Sequence, residues 1–110
     1  MATYIVMFRI EFDESYSERW DSVVSAIRRE AIDGITWEEM TSVIVIKSQK
    51  SAEDLARDIY VNSSFDVAKD KLVAVNAGTG EAAKRGTIQS SETFRRMFPV
   101  SNALSCLFGA

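Results

Sequence analysis

The sequence predicts an α+β domain: a small antiparallel sheet, two helices on one of its faces, and a second face left for a partner. Three observations carry this. Tyr4–Phe12 and Val43–Ile46 are apolar on both sides of an extended chain, whereas a strand with one buried face alternates apolar and polar residues. Each run leads into a segment whose apolar residues recur at helical spacing. A chain of 110 residues also holds helices enough for one face of such a sheet and no more.

The elements follow in order. In the first strand Tyr4, Val6, Phe8, Ile10 and Phe12 point one way, while Ile5 and Met7, then Arg9 and Glu11, point the other. Asp13-Glu14-Ser15 ends it. Ser15 and Glu18 read as a capping box, the hydroxyl and the carboxylate satisfying free amides. Tyr16, Trp20, Val23, Val24, Ile27 and Ala31 then form one helix face, opposite Arg19, Asp21, Arg28 and Arg29. Asp33-Gly34 stops the helix, glycine suiting a left-handed cap.

Ile35–Glu39 predicts a short strand whose two acids suit an edge. Met40-Thr41 is a turn, and Ser42–Lys47 the next strand. Ser51 and Asp54 cap a second helix with Ala52, Leu55, Ala56 and Ile59 inward. Tyr60–Asp70 is a connection that tucks Phe65 and Val67 against the core, and Lys71–Val75 is the fourth strand. Strand, helix, strand, strand, helix, strand makes two split βαβ units, the ferredoxin-like fold, with strands one and three at the centre of a four-stranded sheet. Beyond Asn76, Gly78-Thr79-Gly80 breaks the chain, and Glu81–Arg85 reads as one helical turn before Gly86. Ser91 caps a short helix with Phe94, Met97 and Phe98, which Pro99 ends. The domain is expected to span residues 1–86. Residues 87–110 form a C-terminal extension, with Leu104, Leu107 and Phe108 packed on the same or a neighbouring protomer.

Composition narrows the chemistry. Apolar residues make up 46% and charged residues 26%, which describes a globular chain, and the formal charge is −3. That balance argues against a dedicated high-affinity nucleic-acid binder, though not against a local basic patch. The chain has no histidine, which removes histidine bases, Ser-His and Cys-His pairs, and imidazole ligation of a metal. A metal would have to be a hard ion on carboxylates, Mg2+ or Mn2+. The single Cys106 excludes an intrachain disulfide and a CxxC site, and fits a reducing cytoplasm. No apolar run approaches the ~18 residues of a membrane span.

Met1–Val6, Met40–Ile46 followed by Ser51–Leu55, and Asp70–Val75 with Gly80–Ala83 resemble the SinR-like family. These small bacterial and phage proteins are similar in fold to the CRISPR-associated protein of the adaptation machinery and to a related antitoxin endoribonuclease. The likeness covers residues 1–86 or so. It implies a ferredoxin-like protomer that dimerises through its sheets, in a group containing metal-dependent nucleases and non-enzymatic nucleic-acid scaffolds. In the nuclease members an aspartate near the end of strand one faces its counterpart across the dimer and holds a divalent ion. The matching position here is Arg9, whose guanidinium repels such an ion. Glu11, two residues on and on the same face, offers a displaced carboxylate site. The competing reading is a Glu11 that is solvated or paired with Arg9 of the other subunit.

Each remaining candidate has a plainer alternative. Glu11, Asp13 and Glu14 suit a metal, but acids near a helix N-terminus are favoured anyway by about 0.3–1 kcal/mol. Arg28-Arg29, Lys84-Arg85 and Arg95-Arg96 suit phosphate backbones, yet exposed basic pairs are common. Trp37 and Tyr60 suit base stacking, with Trp37 fitting better as a core or interface anchor. Gly78–Gly80 lacks the third glycine and the lysine of a phosphate loop and reads as a turn. The expectation is a non-catalytic homodimer that engages protein or nucleic acid without a cofactor or a membrane. Its interface would be Ile5, Met7, Arg9 and Glu11, and its nucleic-acid contacts Arg28, Arg29, Lys84 and Arg85. The alternatives are a Mg2+- or Mn2+-dependent endoribonuclease with Glu11 or Asp13 as catalytic ligand, and a phage-encoded inhibitor of a host defence system.

Overall fold

Strand β1 (Ala2–Arg9) is the middle strand of a five-stranded antiparallel sheet in the order β2-β3-β1-β4-β5. The structure, a computed structural model, describes residues 1–100. Its other elements are α1 (Tyr16–Glu30), β2 (Trp37–Met40), β3 (Val43–Ser48), α2 (Ala52–Val61), β4 (Lys71–Asn76), β5 (Ala82–Gly86) and α3 (Ser91–Met97). The class is α+β, as the sequence predicts. No described helix is long and apolar enough to cross a membrane.

Register explains the core. Tyr4 lies between Ile46 and Asn76, and Val6 between Ile44 and Ala74, so one row of side chains faces α1 and α2. Tyr4, Val6, Phe8 and Ile10 are buried there against Val23, Val24 and Ile27 of α1 and Leu55, Ala56 and Ile59 of α2. Burying each large aliphatic side chain contributes roughly 1.5–3 kcal/mol. The Tyr4 hydroxyl donates to the Lys50 carbonyl at 2.7 Å, so the buried phenol is satisfied. Helix α2 begins as predicted, with Ser51 Oγ accepting from the Asp54 amide at 3.1 Å. Glu81 adds a second cap by accepting from the Ala52 amide at 2.5 Å.

Several expectations are corrected. The sheet has five strands, not four: Ala82–Gly86 is a strand paired with β4, where one helical turn was expected. The run Ala-Ala-Lys-Arg has high helix propensity, but the unpaired backbone edge of β4 recruits it. The Gly78–Gly80 segment is the hairpin turn, with Asn76 Oδ1 accepting from the amides of Gly78 and Thr79. Gly86 closes β5 at φ +90, where a Cβ would stand 1.9 Å from the Asp70 carbonyl oxygen. Only glycine fits that crossing.

Ser15 and Glu18 form no capping box. Ser15 instead donates its amide and hydroxyl to Asp13 Oδ1 at 2.9 and 3.0 Å. Phe12 is 85% exposed because β1 stops at Arg9, and its ring leans on Tyr16 with centroids 5.2 Å apart. Arg19, expected in solvent, is buried, whereas Val67 is exposed. Tyr60 and Val61 belong to α2 rather than to the connection after it. Helix α3 forms where expected, with Ser90 in the capping position, and Met97 is exposed. The Ala82 amide donates to the Val100 carbonyl at 3.1 Å, so the chain returns to the outer edge of β5. The expected apolar tail, with Leu104, Cys106, Leu107 and Phe108, lies outside the described residues.

Candidate functional site

The face of the sheet opposite α1 and α2 is the candidate site. Strand alternation assembles it in rows. One row runs Trp37, Val45, Ile5, Val75, Ala82 across all five strands. The next runs Val43, Met7, Val73, Lys84. Beyond them Arg9 stands directly opposite Lys71, and at the other end Thr3 stands opposite Lys47. Ile5, Val43, Val45, Val73 and Val75 are half-buried, while Met7 and Trp37 are 36% and 45% exposed. The Trp37 indole donates to Glu39 at 2.6 Å, which fixes it at the β2 edge.

The charges divide by face. On the helix side Arg28 pairs with Glu38 at 2.7 Å, Lys50 with Glu30 and Asp58 at 2.6 and 2.7 Å, and Arg85 with Glu53. Arg57 bridges Asp54 and Asp58. Arg19 is the centre of a buried cluster, bonding Asp70 at 3.2 Å and Asp13 at 2.7 Å, with Lys69 on the other oxygen of Asp13 at 2.8 Å. Burial alone would raise the Asp70 carboxyl. The Arg19 guanidinium and the amides of Asp66 and Glu11 outweigh it and hold Asp70 below the usual aspartate range. Lys69, then Arg19, hold the Asp13 carboxyl below the usual range as well.

Arg9, Lys47, Lys71 and Lys84, all on the open face, close no ion pair within 4 Å among the described residues, and neither does Arg95 of α3, although the Glu53 charge acts on Lys84. Lys71 donates to the carbonyl and hydroxyl oxygens of Thr87. Burial, then the charges of Arg95 and Arg85, push the Lys84 ammonium below the usual lysine range. A concavity of about 230 Å3 at this corner is lined by Arg9, Glu11, Lys69, Lys71, Thr87 and Gln89.

The sequence-derived candidates therefore scatter. Ile5, Met7 and Arg9 do share one face, with Glu11 beside the last. Arg28 is tied to Glu38, and Arg29 to the Asn62 carbonyl at 3.0 Å, on the far side of the molecule. Lys84 and Arg85 point to opposite faces. Tyr60 packs its ring edge-on against Phe65, with centroids 5.9 Å apart. The acids do not converge: Glu11 and Glu14 are exposed, and Asp13 is enclosed by two cations whose charge opposes a divalent ion. Among the described residues no group of three His, Cys, Asp or Glu is placed to hold a metal.

Sequence reading missed Lys47 and Lys71 as members of the face, although counting by twos from Met7 and its partners finds them. It also missed the Arg19 cluster. Arg19 lies three residues after Tyr16 and four before Val23, inside the apolar stripe, and that position was its signal. No family model matches this chain, and no curated protein or solved structure does either.

Proposed function

We propose that this protein is a non-catalytic binding module on a ferredoxin-like frame that works as a homodimer through its open sheet face. The frame is supported by the order β2-β3-β1-β4, with β5 added at the edge. One observation carries the assembly: two apolar rows, centred on Ile5 and Met7, cross the sheet on the side away from α1 and α2. An apolar centre inside a charged margin is the anatomy of a protein interface, and a two-fold axis buries the same patch twice. Arg9 and Glu11 stand at the margin of that patch, clear of its buried rows. The likeness to the SinR-like family, with its sheet-to-sheet pairing, supports the same reading. The single Cys106 is compatible with work in the cytoplasm.

Light scattering at micromolar concentration tests this, with twice the chain mass expected. Met7→Asp should give a monomer whose melting temperature is near that of the parent at dilutions where association is absent, because Met7 is at the surface of the protomer. A parent chain that stays monomeric at high micromolar concentration overturns the proposal.

A further inference from the structure

We propose that the corner of the open face carrying Arg9, Lys71 and Lys84 receives successive phosphate groups of a nucleic-acid strand. This rests on reading the open face as the functional surface, and it names what that surface holds.

The first argument is a pairing that stability alone would not select. Arg9 and Lys71 are direct cross-strand partners, so their side chains leave the backbone about 4.5–5.5 Å apart, where like charges are destabilising. Lys84 extends the group onto β5 on the same face. Elsewhere the same chain satisfies Arg19, Arg28, Lys50, Arg57 and Arg85 with carboxylates. The corner departs from that habit. A missing anion resolves the repulsion.

The second argument is shape and donor chemistry. Arg9 and Lys71 share a row, Lys84 stands one row away on the third strand, and with strands about 4.8 Å apart the three cations span on the order of 10 Å. That exceeds one phosphate and suits a chain that repeats them. Gln89 adds an amide group in the same concavity, a donor of the kind that holds nucleic-acid backbones, while the Thr87 hydroxyl donates to the Asp70 carbonyl at 3.2 Å and holds Lys71 in place. Glu11 is the one carboxylate lining it, and it closes no salt bridge to Arg9, Lys69 or Lys71. In a paired sheet Arg9 and Lys71 lie at the strand ends, outside the apolar rows, and Lys84 lies at the β5 end of the Met7 row. Phosphate contacts read no sequence, so binding should tolerate any base order.

Anisotropy of a labelled single-stranded oligonucleotide, titrated with the full chain over a range of salt, tests the proposal. Binding should weaken with salt. Arg9→Ala and Lys71→Ala should each reduce the slope of log affinity against log salt by about 0.7, the share of one phosphate contact on a single strand. Arg28→Ala should leave it unchanged, and Arg9→Lys should restore it. Thermal melts confirm that the variants are folded. No binding at low salt overturns the proposal, as does a slope indifferent to Arg9, Lys71 and Lys84. Competition by polyglutamate as effective as by unlabelled oligonucleotide overturns it in favour of an acidic protein. Light scattering on the same samples separates the two readings. A monomer that binds sinks the pairing alone, and a dimer that does not bind sinks only this inference.

Discussion

The two faces of the sheet obey different rules. Under α1 and α2 the side chains interlock and most of the cations are closed by carboxylates, down to Asp70, which is fully buried yet takes bonds from Arg19, Glu11 and Asp66. On the other face half-buried valines lie beside Arg9 and Lys71, which close no ion pair among the described residues. The comparison teaches that one side is closed by its own contacts while the other leaves apolar and cationic groups exposed, and that is the side on which the proposed partner would act.

The sharpest way to break that contrast is to mutate neighbours that face apart. Asp70→Ala removes a buried anion and strands Arg19, which should cost about 3–5 kcal/mol. Lys71→Ala, one residue on, loses hydrogen bonds to Thr87 but breaks no ion pair among the described residues, and should cost less, about 1–2 kcal/mol. Urea titrations of both measure the difference. Comparable losses would erase the distinction between the faces.

Packing gives the next largest contrast. Leu55→Ala on α2 opens a cavity in the core and should cost about 2–5 kcal/mol. Met7→Ala on the open face of the central strand should cost far less in the dissociated chain, because no cavity forms. Melts at dilutions where association is absent make the comparison clean.

The acid limb of stability sharpens the account of the buried cluster. Asp70 and Asp13 have folded-state values below the usual 3.8, so the unfolded chain binds more protons as the pH falls. Their stabilisation is complete above the unfolded value and is lost as acid carries the carboxyls down through their folded values. Stability should therefore fall below about pH 4. Asp70→Asn, less stable at neutral pH, should show a shallower acid limb. An equally steep limb in that variant would assign the effect elsewhere.

Much of the frame was legible because it rests on periodicity. Tyr4, Val6 and Phe8 against Ile5 and Met7 gave β1 both of its faces. Ser51 with Asp54, followed by Leu55 and Ile59, gave α2 its start and its inward side. Strand β5 was not legible, since Ala82-Ala83-Lys84-Arg85 is locally helical and becomes a strand only because β4 offers an edge. Arg19 was misread because charge was taken as a sign of exposure, while its partner Asp70 lies 51 residues away. The candidate site was half legible. Ile5, Met7 and Arg9 were on the right face, but Lys47, Lys71 and Lys84 join them only through cross-strand register, which one strand's pattern does not contain. Adjacent basic pairs were the wrong signal, because alternation sends their two members to opposite faces, as with Lys84 and Arg85.

The smallest expected effect is also the most discriminating. If the open corner were tuned for stability, replacing Arg9 would do harm or nothing. If the like charges are held there for an anion, Arg9→Glu should stabilise the chain. It sets a carboxylate directly opposite Lys71, and opposite-charge cross-strand pairs contribute about 0.2–1 kcal/mol. Arg9 has no ion pair among the described residues to lose. Glu11, two positions along the same face, offsets part of the gain, and salt should shrink what is left. The same substitution should abolish oligonucleotide binding. A protein made more stable by the change that removes its binding is the signature of a charge placed for a partner. A less stable Arg9→Glu chain would instead assign Arg9 to the fold.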